Sequence, residues 1–117
     1  MPPSCVFCDI VSGRFTCKKV YEDRSTLAFH DRHPEAPVHV LIVPKRHVQS
    51  ISAAPADART ARLFARLLLT ARHVATELSL KKDGYRLVIN TGTDAGQAVP
   101  HLHVHLLAGR PFAWPPG

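Results

Sequence analysis

Nowhere does this 117-residue chain run apolar for anything near the ~20 positions a bilayer-spanning helix requires. The opening Met1-Pro2-Pro3-Ser4-Cys5 lacks the pattern of a secretory signal, so the cytosol is the expected compartment. Cysteine is scarce, with three residues. An odd count in a chain read as intracellular excludes a disulfide framework. No internal repeat and no low-complexity tract is present, which excludes solenoids and long disordered tracts. A block of like charge is missing too. Fifteen Lys and Arg against nine Asp and Glu give a formal charge of +6, yet the basic residues come as short pairs such as Lys18-Lys19, Lys45-Arg46 and Lys81-Lys82. Nucleic-acid binders show basic stripes interleaved with aromatics, and none is visible, which argues against a nucleic-acid partner. The positive balance suits a small anionic ligand instead. What remains, 45% hydrophobic and 21% charged residues, is ordinary globular composition in a length that supports one core and one domain over residues 1–117.

Along the chain, a short helix is expected from Cys5 to Ser12, ending at Gly13. Val20-Tyr21 and Thr26–Asp31 read as a hairpin turning at Asp23-Arg24-Ser25, and Val38–Val43 reads as a central strand closed by Pro44. The long helix is the strongest signal. Pro55 suits a first helical position and Asp57 a first turn, while Leu63, Leu67, Ala71, Val74 and Leu78 form an apolar stripe. Arg59, Arg62, Arg66 and Arg72 fall mostly off that stripe, and Lys81-Lys82-Asp83-Gly84 ends it. Tyr85–Asn90 reads as a strand, Thr91–Ala98 as a Gly-rich loop, and His101–Leu107 as the last strand after Pro100. Four or five strands with segregated helices predict an α+β domain on an antiparallel sheet.

His101-Leu102-His103-Val104-His105-Leu106-Leu107 is the most informative stretch. Alternate residues of a strand share a face, so three imidazoles project together, ~6.6–6.8 Å from one to the next. Leu102, Val104 and Leu106 then point into the core. Such a row supports two chemistries. Neutral imidazoles can hold zinc and generate hydroxide; alternatively, the middle imidazole can be a nucleophile whose neighbours hold its tautomer and neutralise phosphate charge. Spacing alone does not choose. Asn90, Gly92, Gly96 and Gln97 precede the row, and glycine backbone and side-chain amides are donors suited to phosphate oxygens, which favours the nucleophile.

The alternating row resembles the motif of the histidine-triad superfamily. The likeness continues through Phe29-His30-Asp31, Pro34–His39, Val43–His47, Tyr85–Asn90, Gly96-Gln97 and the tail Trp114-Pro115-Pro116-Gly117. The tail after Gly109-Arg110 is similar to the Hint branch in particular. The resemblance implies a HIT-like α+β fold: a five-stranded antiparallel sheet, one long and one short helix, and a sheet continued across a homodimer. It implies hydrolysis of purine nucleoside phosphoramidates to AMP or GMP and an amine, with no cofactor for catalysis. On the same ground His103 is the expected nucleophile, forming a nucleotidyl-histidine intermediate, with His101 and His105 beside it. His105, Asn90, Gly96, Gln97 and Ala98 are the expected phosphate contacts. Asp31 grips the ribose, Phe29 lines the base pocket, and Trp114 reaches the partner subunit's site. One position departs from the pattern: the family usually has Ser after the loop Gln, and this chain has Ala98.

Cys5-Val6-Phe7-Cys8 has the two-residue spacer common to zinc and redox pairs. By resemblance to bacterial-type triad proteins, Cys5 and Cys8 join His47 and His101 in a structural zinc site. Rival readings are dinucleoside polyphosphate hydrolysis, a non-catalytic nucleotide-binding scaffold, and a metallohydrolase with all three triad histidines on zinc. His39 is expected either to support the row by a hydrogen bond or to sit in the core; His33 and His73 are expected in solvent.

Overall fold

The computed structural model describes residues 5–117; the reading of Met1–Ser4 lies outside the described residues. Cys5 caps the first helix, α1 (Val6–Val11), where its thiol accepts the Cys8 N–H at 3.4 Å. The hairpin follows as β1 (Lys19–Glu22) and β2 (Thr26–His30). Its turn is tied by Asp23, whose Oδ1 accepts the Ser25 and Thr26 N–H groups at 2.9 and 2.8 Å, a local side-chain bond that favours a turn. Next come β3 (Val38–Pro44), α2 (Ala58–Glu77), β4 (Arg86–Val88) and β5 (Val104–Ala108). All neighbours pair antiparallel in the order β1-β2-β3-β5-β4.

Several boundaries differ from the sequence reading: the Tyr85–Asn90 strand shortens to Arg86–Val88, and three others have a visible cause. The long helix starts after Asp57, which is its N-cap and accepts the Thr60 N–H at 2.9 Å. A carboxylate that satisfies an orphan donor there sets the start more firmly than Pro55 does. At the other end α2 stops at Glu77, and Ser79 takes φ 59, so the chain turns before Lys81. The last strand begins at Val104, three residues later than expected, because Leu102 N–H is drawn to the Val48 carbonyl at 2.6 Å instead of a strand neighbour.

The sheet is covered on both faces. α2 lays Leu67, Ala71, Val74 and Ala75 against Ala28, Val40, Ile42, Leu102, Val104 and Leu106. Its four arginines stay exposed, as the stripe predicts. On the opposite face α1 contributes Phe7, which packs with Leu27, Phe29, Leu41 and Val43. Being covered twice is what makes Val40–Val43 an unbroken apolar run and not an alternating one. Ile42, Val104 and Leu106 are fully buried at 0% exposure, each stabilising the fold by ~1.5–3 kcal/mol. At the end of β5, Gly109 adopts φ +95, and a Cβ there would meet Pro37 at 2.7 Å. Only glycine lets the tail leave the sheet at this point. No helix is long and apolar enough to cross a membrane among the described residues.

Candidate functional site

The strand period decides which side chains meet. Val104, Leu106 and Ala108 face α2, so His105 and Leu107 face the other way, toward α1. Register then puts Leu41 of β3 and Val88 of β4 beside His105, and His39 beside Leu107. His101 and His103 lie before the strand but keep its alternation, with Leu102 turned into the core. The His103 and His105 rings stand 4.9 Å apart, centroid to centroid. Phe7 presses edge-on against both His101 at 5.8 Å and His103 at 5.0 Å.

Each histidine of the row is held by a different partner, and that partner fixes which ring nitrogen carries the proton. His103 Nδ1 lies 2.7 Å from the His101 carbonyl, which only accepts, so Nδ1 carries the proton. Its Nε2 is left as a lone pair with no hydrogen-bond partner among the described residues. His39 Nδ1 accepts the Glu35 N–H at 3.0 Å, so the proton of His39 sits on Nε2. That Nε2–H points at His105 Nδ1, 2.9 Å away, with Asp31 Oδ2 at 3.3 Å as a second acceptor. His105 Nδ1 therefore accepts, and its proton is on Nε2. The result is a nucleophilic nitrogen on one ring beside an N–H donor on the next. The Glu35–His39 bond also means that Asp31, His39 and His105, whose ligand atoms cluster within 4.8 Å, do not offer His39 Nε2 as a metal ligand.

Electrostatics keep the row neutral. Burial pushes the His103 imidazole below its ordinary range, outweighing its bond to the His101 carbonyl and the pull of Asp31. Burial, then the nearby His103 and His39, lowers His105 to about 4. His39 is lowered by burial against the opposing charges of Asp31 and Glu35. At neutral pH both imidazoles are uncharged, so His103 Nε2 keeps its lone pair and His105 Nε2 its proton.

His101 turns its free nitrogen to the cysteines. Its Nε2–H donates to the Pro44 carbonyl at 2.9 Å, leaving the Nδ1 lone pair toward Cys5 Sγ at 3.3 Å, Cys8 Sγ at 3.6 Å and His47 Nδ1 at 3.2 Å. Cys8 Sγ lies 3.3 Å from His47 Nδ1. A zinc tetrahedron with bonds of ~2.0–2.3 Å has edges of about 3.3–3.8 Å, so the four donors already stand close to its corners. The carbonyl behind His101 is the usual partner that fixes a ligating imidazole. The residues fit zinc, and the arrangement separates the row: His101 belongs to the cysteine cluster, His103 and His105 to the open site. A metal held by all three triad histidines is excluded by these ring directions.

Of the other residues read from sequence, Phe29 is buried beside Phe7 and shares the triad face, opposite Leu41. Asp31 is half-buried, and its Oδ1 accepts the His33 N–H at 2.8 Å. Asn90 follows β4 by two residues and is half-buried. Gly96 takes φ +82 in the loop after it, and Ala98 is exposed. The Gln97 amide closes that loop: Oε1 accepts the Gly92 N–H at 3.0 Å and Nε2 donates to the Gln49 carbonyl at 2.8 Å. Trp114 stands 83% exposed on the tail. His73 is exposed yet packs at a tilt against Tyr21, with ring centroids 4.7 Å apart. Cys17 packs half-buried against the α1-side core as a small apolar group. Sequence reasoning missed Phe7, although it lies between the two cysteines, and it missed the Glu35 N–H and Pro44 carbonyl, which carry no residue signature.

A row of imidazoles on a five-stranded antiparallel sheet, with a short helix over it and a long one behind, defines a HIT-like fold. A HIT domain family model matches residues 12–112. The chain belongs to the HIT family. It is 46% identical over 117 residues to an uncharacterized HIT-like protein of Synechocystis sp., both chains being covered to 100%. It is 44% identical over 112 residues to a 14 kDa zinc-binding protein of Zea mays, covering 96% of this chain and 87% of that one. Among solved structures it is similar to a HIT family hydrolase from Legionella pneumophila Philadelphia 1, with TM-score 0.92, 42% identity and coverage of 97% and 100%. A histidine triad nucleotide-binding protein from Candida albicans superposes with TM-score 0.81 and 31% identity, covering 96% of this chain and 83% of that one.

Proposed function

We propose that this protein is a cytoplasmic purine nucleoside phosphoramidate hydrolase working through a nucleotidyl-histidine intermediate, with AMP or GMP as product. The observation that carries the reading is His103, whose Nδ1–H is fixed on the His101 carbonyl at 2.7 Å and whose Nε2 has no hydrogen-bond partner among the described residues. Nε2 attacks the α-phosphorus, the P–N bond breaks, and the amine departs after its nitrogen takes a proton from solvent water. Water then attacks the same phosphorus, the P–Nε2 bond breaks, and the monophosphate leaves. His105 Nε2–H donates to a phosphate oxygen as charge builds on it. Asp31 accepts from the ribose hydroxyls, Phe29 lines the base side, and Asn90 with the backbone at Gly96, Gln97 and Ala98 faces the phosphate. Hydrolysis of adenosine 5'-phosphoramidate is the test: turnover by the wild type, reduced ~10³-fold or more by His103→Ala, is expected. Equal rates in the two proteins would remove the reading.

Two further parts belong to this proposal. Cys5, Cys8, His47 and His101 hold structural zinc, pinning α1 to the active segment, as the donor spacing above supports; zinc in the maize relative points the same way. The functional unit is a homodimer. β4 is an edge strand, and beside it Ile51, Phe64, Leu68 and Ile89 line an almost wholly apolar cavity of about 130 Å³. An uncovered strand edge flanked by apolar side chains is suited to a second copy, which would extend the sheet and bring Trp114 to the partner's site. Sedimentation of a dimer by the wild type and a monomer by Leu68→Glu is expected.

A further inference from the structure

The triad face does not end at His105. Leu107 is the next residue of β5 on that face, and its register partner is Arg86, as Val88 is that of His105. Val88, Leu107, Arg86, Arg110, Phe112 and the tail line a cavity of about 290 Å³. The two guanidiniums bracket one ring, Arg110 at 4.4 Å and Arg86 at 5.1 Å from the Phe112 centroid. Backbone carbonyls hold them in place: Arg86 Nη2 donates to Ala113 at 3.1 Å, and Arg110 donates to Glu35 at 3.0 Å and Pro111 at 3.2 Å. Neither guanidinium has a carboxylate within 4.0 Å among the described residues. A guanidinium has five N–H donors, so most of those on both side chains remain unspent. Two positive charges fixed on a ring in one cavity, with donors in hand and no carboxylate paired to them among the described residues, make an anion site.

We infer that Arg86 and Arg110 bind an anionic group on the leaving side of the substrate. This rests on the proposed hydrolase reading and deepens it: the departing amine carries a carboxylate, as an amino acid does. The step from His105 to Leu107 is ~6.6–6.8 Å, so the cavity lies within a few bonds of a phosphorus held at the row. A phosphate following the α-phosphate would meet the same guanidiniums, since a planar fork suits carboxylate and phosphate alike. Asp31 and Phe29 lie across β3 from β5, which leaves the Arg86 side for the group that departs.

The test compares the adenosine phosphoramidates of glycine and of glycinamide, which differ only in the carboxylate. The wild type is expected to favour glycine ~10- to 100-fold in kcat/KM, and Arg86→Met and Arg110→Met to bring the ratio close to one while leaving the glycinamide rate unchanged. Binding of the same pair to His103→Ala gives a readout that needs no turnover and is expected to show the same preference. Comparing ADP with AMP on the same variants separates the two anion sources, since an arginine-dependent gain for ADP assigns the site to phosphate. No preference in binding or turnover, or one that survives both Arg→Met changes, overturns the inference. Absent turnover with intact, arginine-dependent binding overturns only the hydrolase reading.

Discussion

Replacing His39 by Phe tests how far the row depends on a residue outside it. The substitution keeps a ring in a position that is 5% exposed, but removes both nitrogens. Two hydrogen bonds go with them, the one from the Glu35 N–H at 3.0 Å and the one to His105 Nδ1 at 2.9 Å. Each made bond is worth ~0.5–1.5 kcal/mol, and water can take up the N–H of the exposed Glu35, so a loss of about 1–3 kcal/mol in stability is expected. The effect on activity has a separate origin. Without His39 nothing holds the His105 proton on Nε2, and the ring is free to present a lone pair to the phosphate instead. Removing a positioned donor to developing oxyanion charge typically costs 10²–10³ in kcat, and a freed ring forfeits part of that, so ~10- to 100-fold is expected. His39→Gln keeps a donor and an acceptor and is expected to recover part of the rate. Nitrogen NMR of imidazole-labelled protein reads the tautomers directly. A wild-type His105 with its proton on Nδ1 would refute the reasoning, as would a His39→Phe variant with unchanged tautomer and rate.

Purified protein is expected to carry one zinc per chain, which Cys5→Ser abolishes; losing a metal that binds only the folded state lowers Tm by roughly 10–20 °C, measured by calorimetry. Acid sensitivity follows from the depressed histidines. Unfolded histidines take up protons near pH 6.5 whereas folded His105 resists until about 4 and His39 is also depressed, so the unfolded state binds more protons in between. Denaturant titrations are therefore expected to show stability falling as pH drops from 6.5 toward 4, by at most ~1.4 kcal/mol per pH unit for each group, and a flat profile would contradict it. Ala98→Ser restores the hydroxyl usual at that loop position and is expected to change phosphoramidate turnover by the equivalent of ~1–3 kcal/mol, with unchanged rates across several amine leaving groups as the contrary result.

The fold was legible where one local period governs the chain. The apolar stripe of α2 and the alternation through Leu102, Val104 and Leu106 each assign a face without knowledge of the rest. Ends were less legible, because they depend on single bonds: Asp57 to the Thr60 N–H moved the start of α2, and the Val48 carbonyl delayed β5. The site was half legible. Three histidines at alternate positions announce themselves, but their division of labour does not. That His101 serves the cysteine cluster whereas His103 serves the open face follows from the Pro44 and His101 carbonyls, and a backbone carbonyl looks the same at every position of a sequence. The grouping of Cys5, Cys8, His47 and His101 was reached by resemblance, since Cys5 and His101 stand 96 residues apart and only the fold joins them. The Arg86 and Arg110 pair, ordinary in the sequence, becomes a site only when β4 and the tail come together.

Rapid quenching of the wild-type reaction with an adenosine phosphoramidate, followed by mass measurement of the protein and its peptides, tests the central assignment most directly. The account predicts a nucleotidyl adduct on the peptide containing His103, formed before product and absent from His103→Ala. Turnover with no adduct at any time, or the same adduct in His103→Ala, would contradict it.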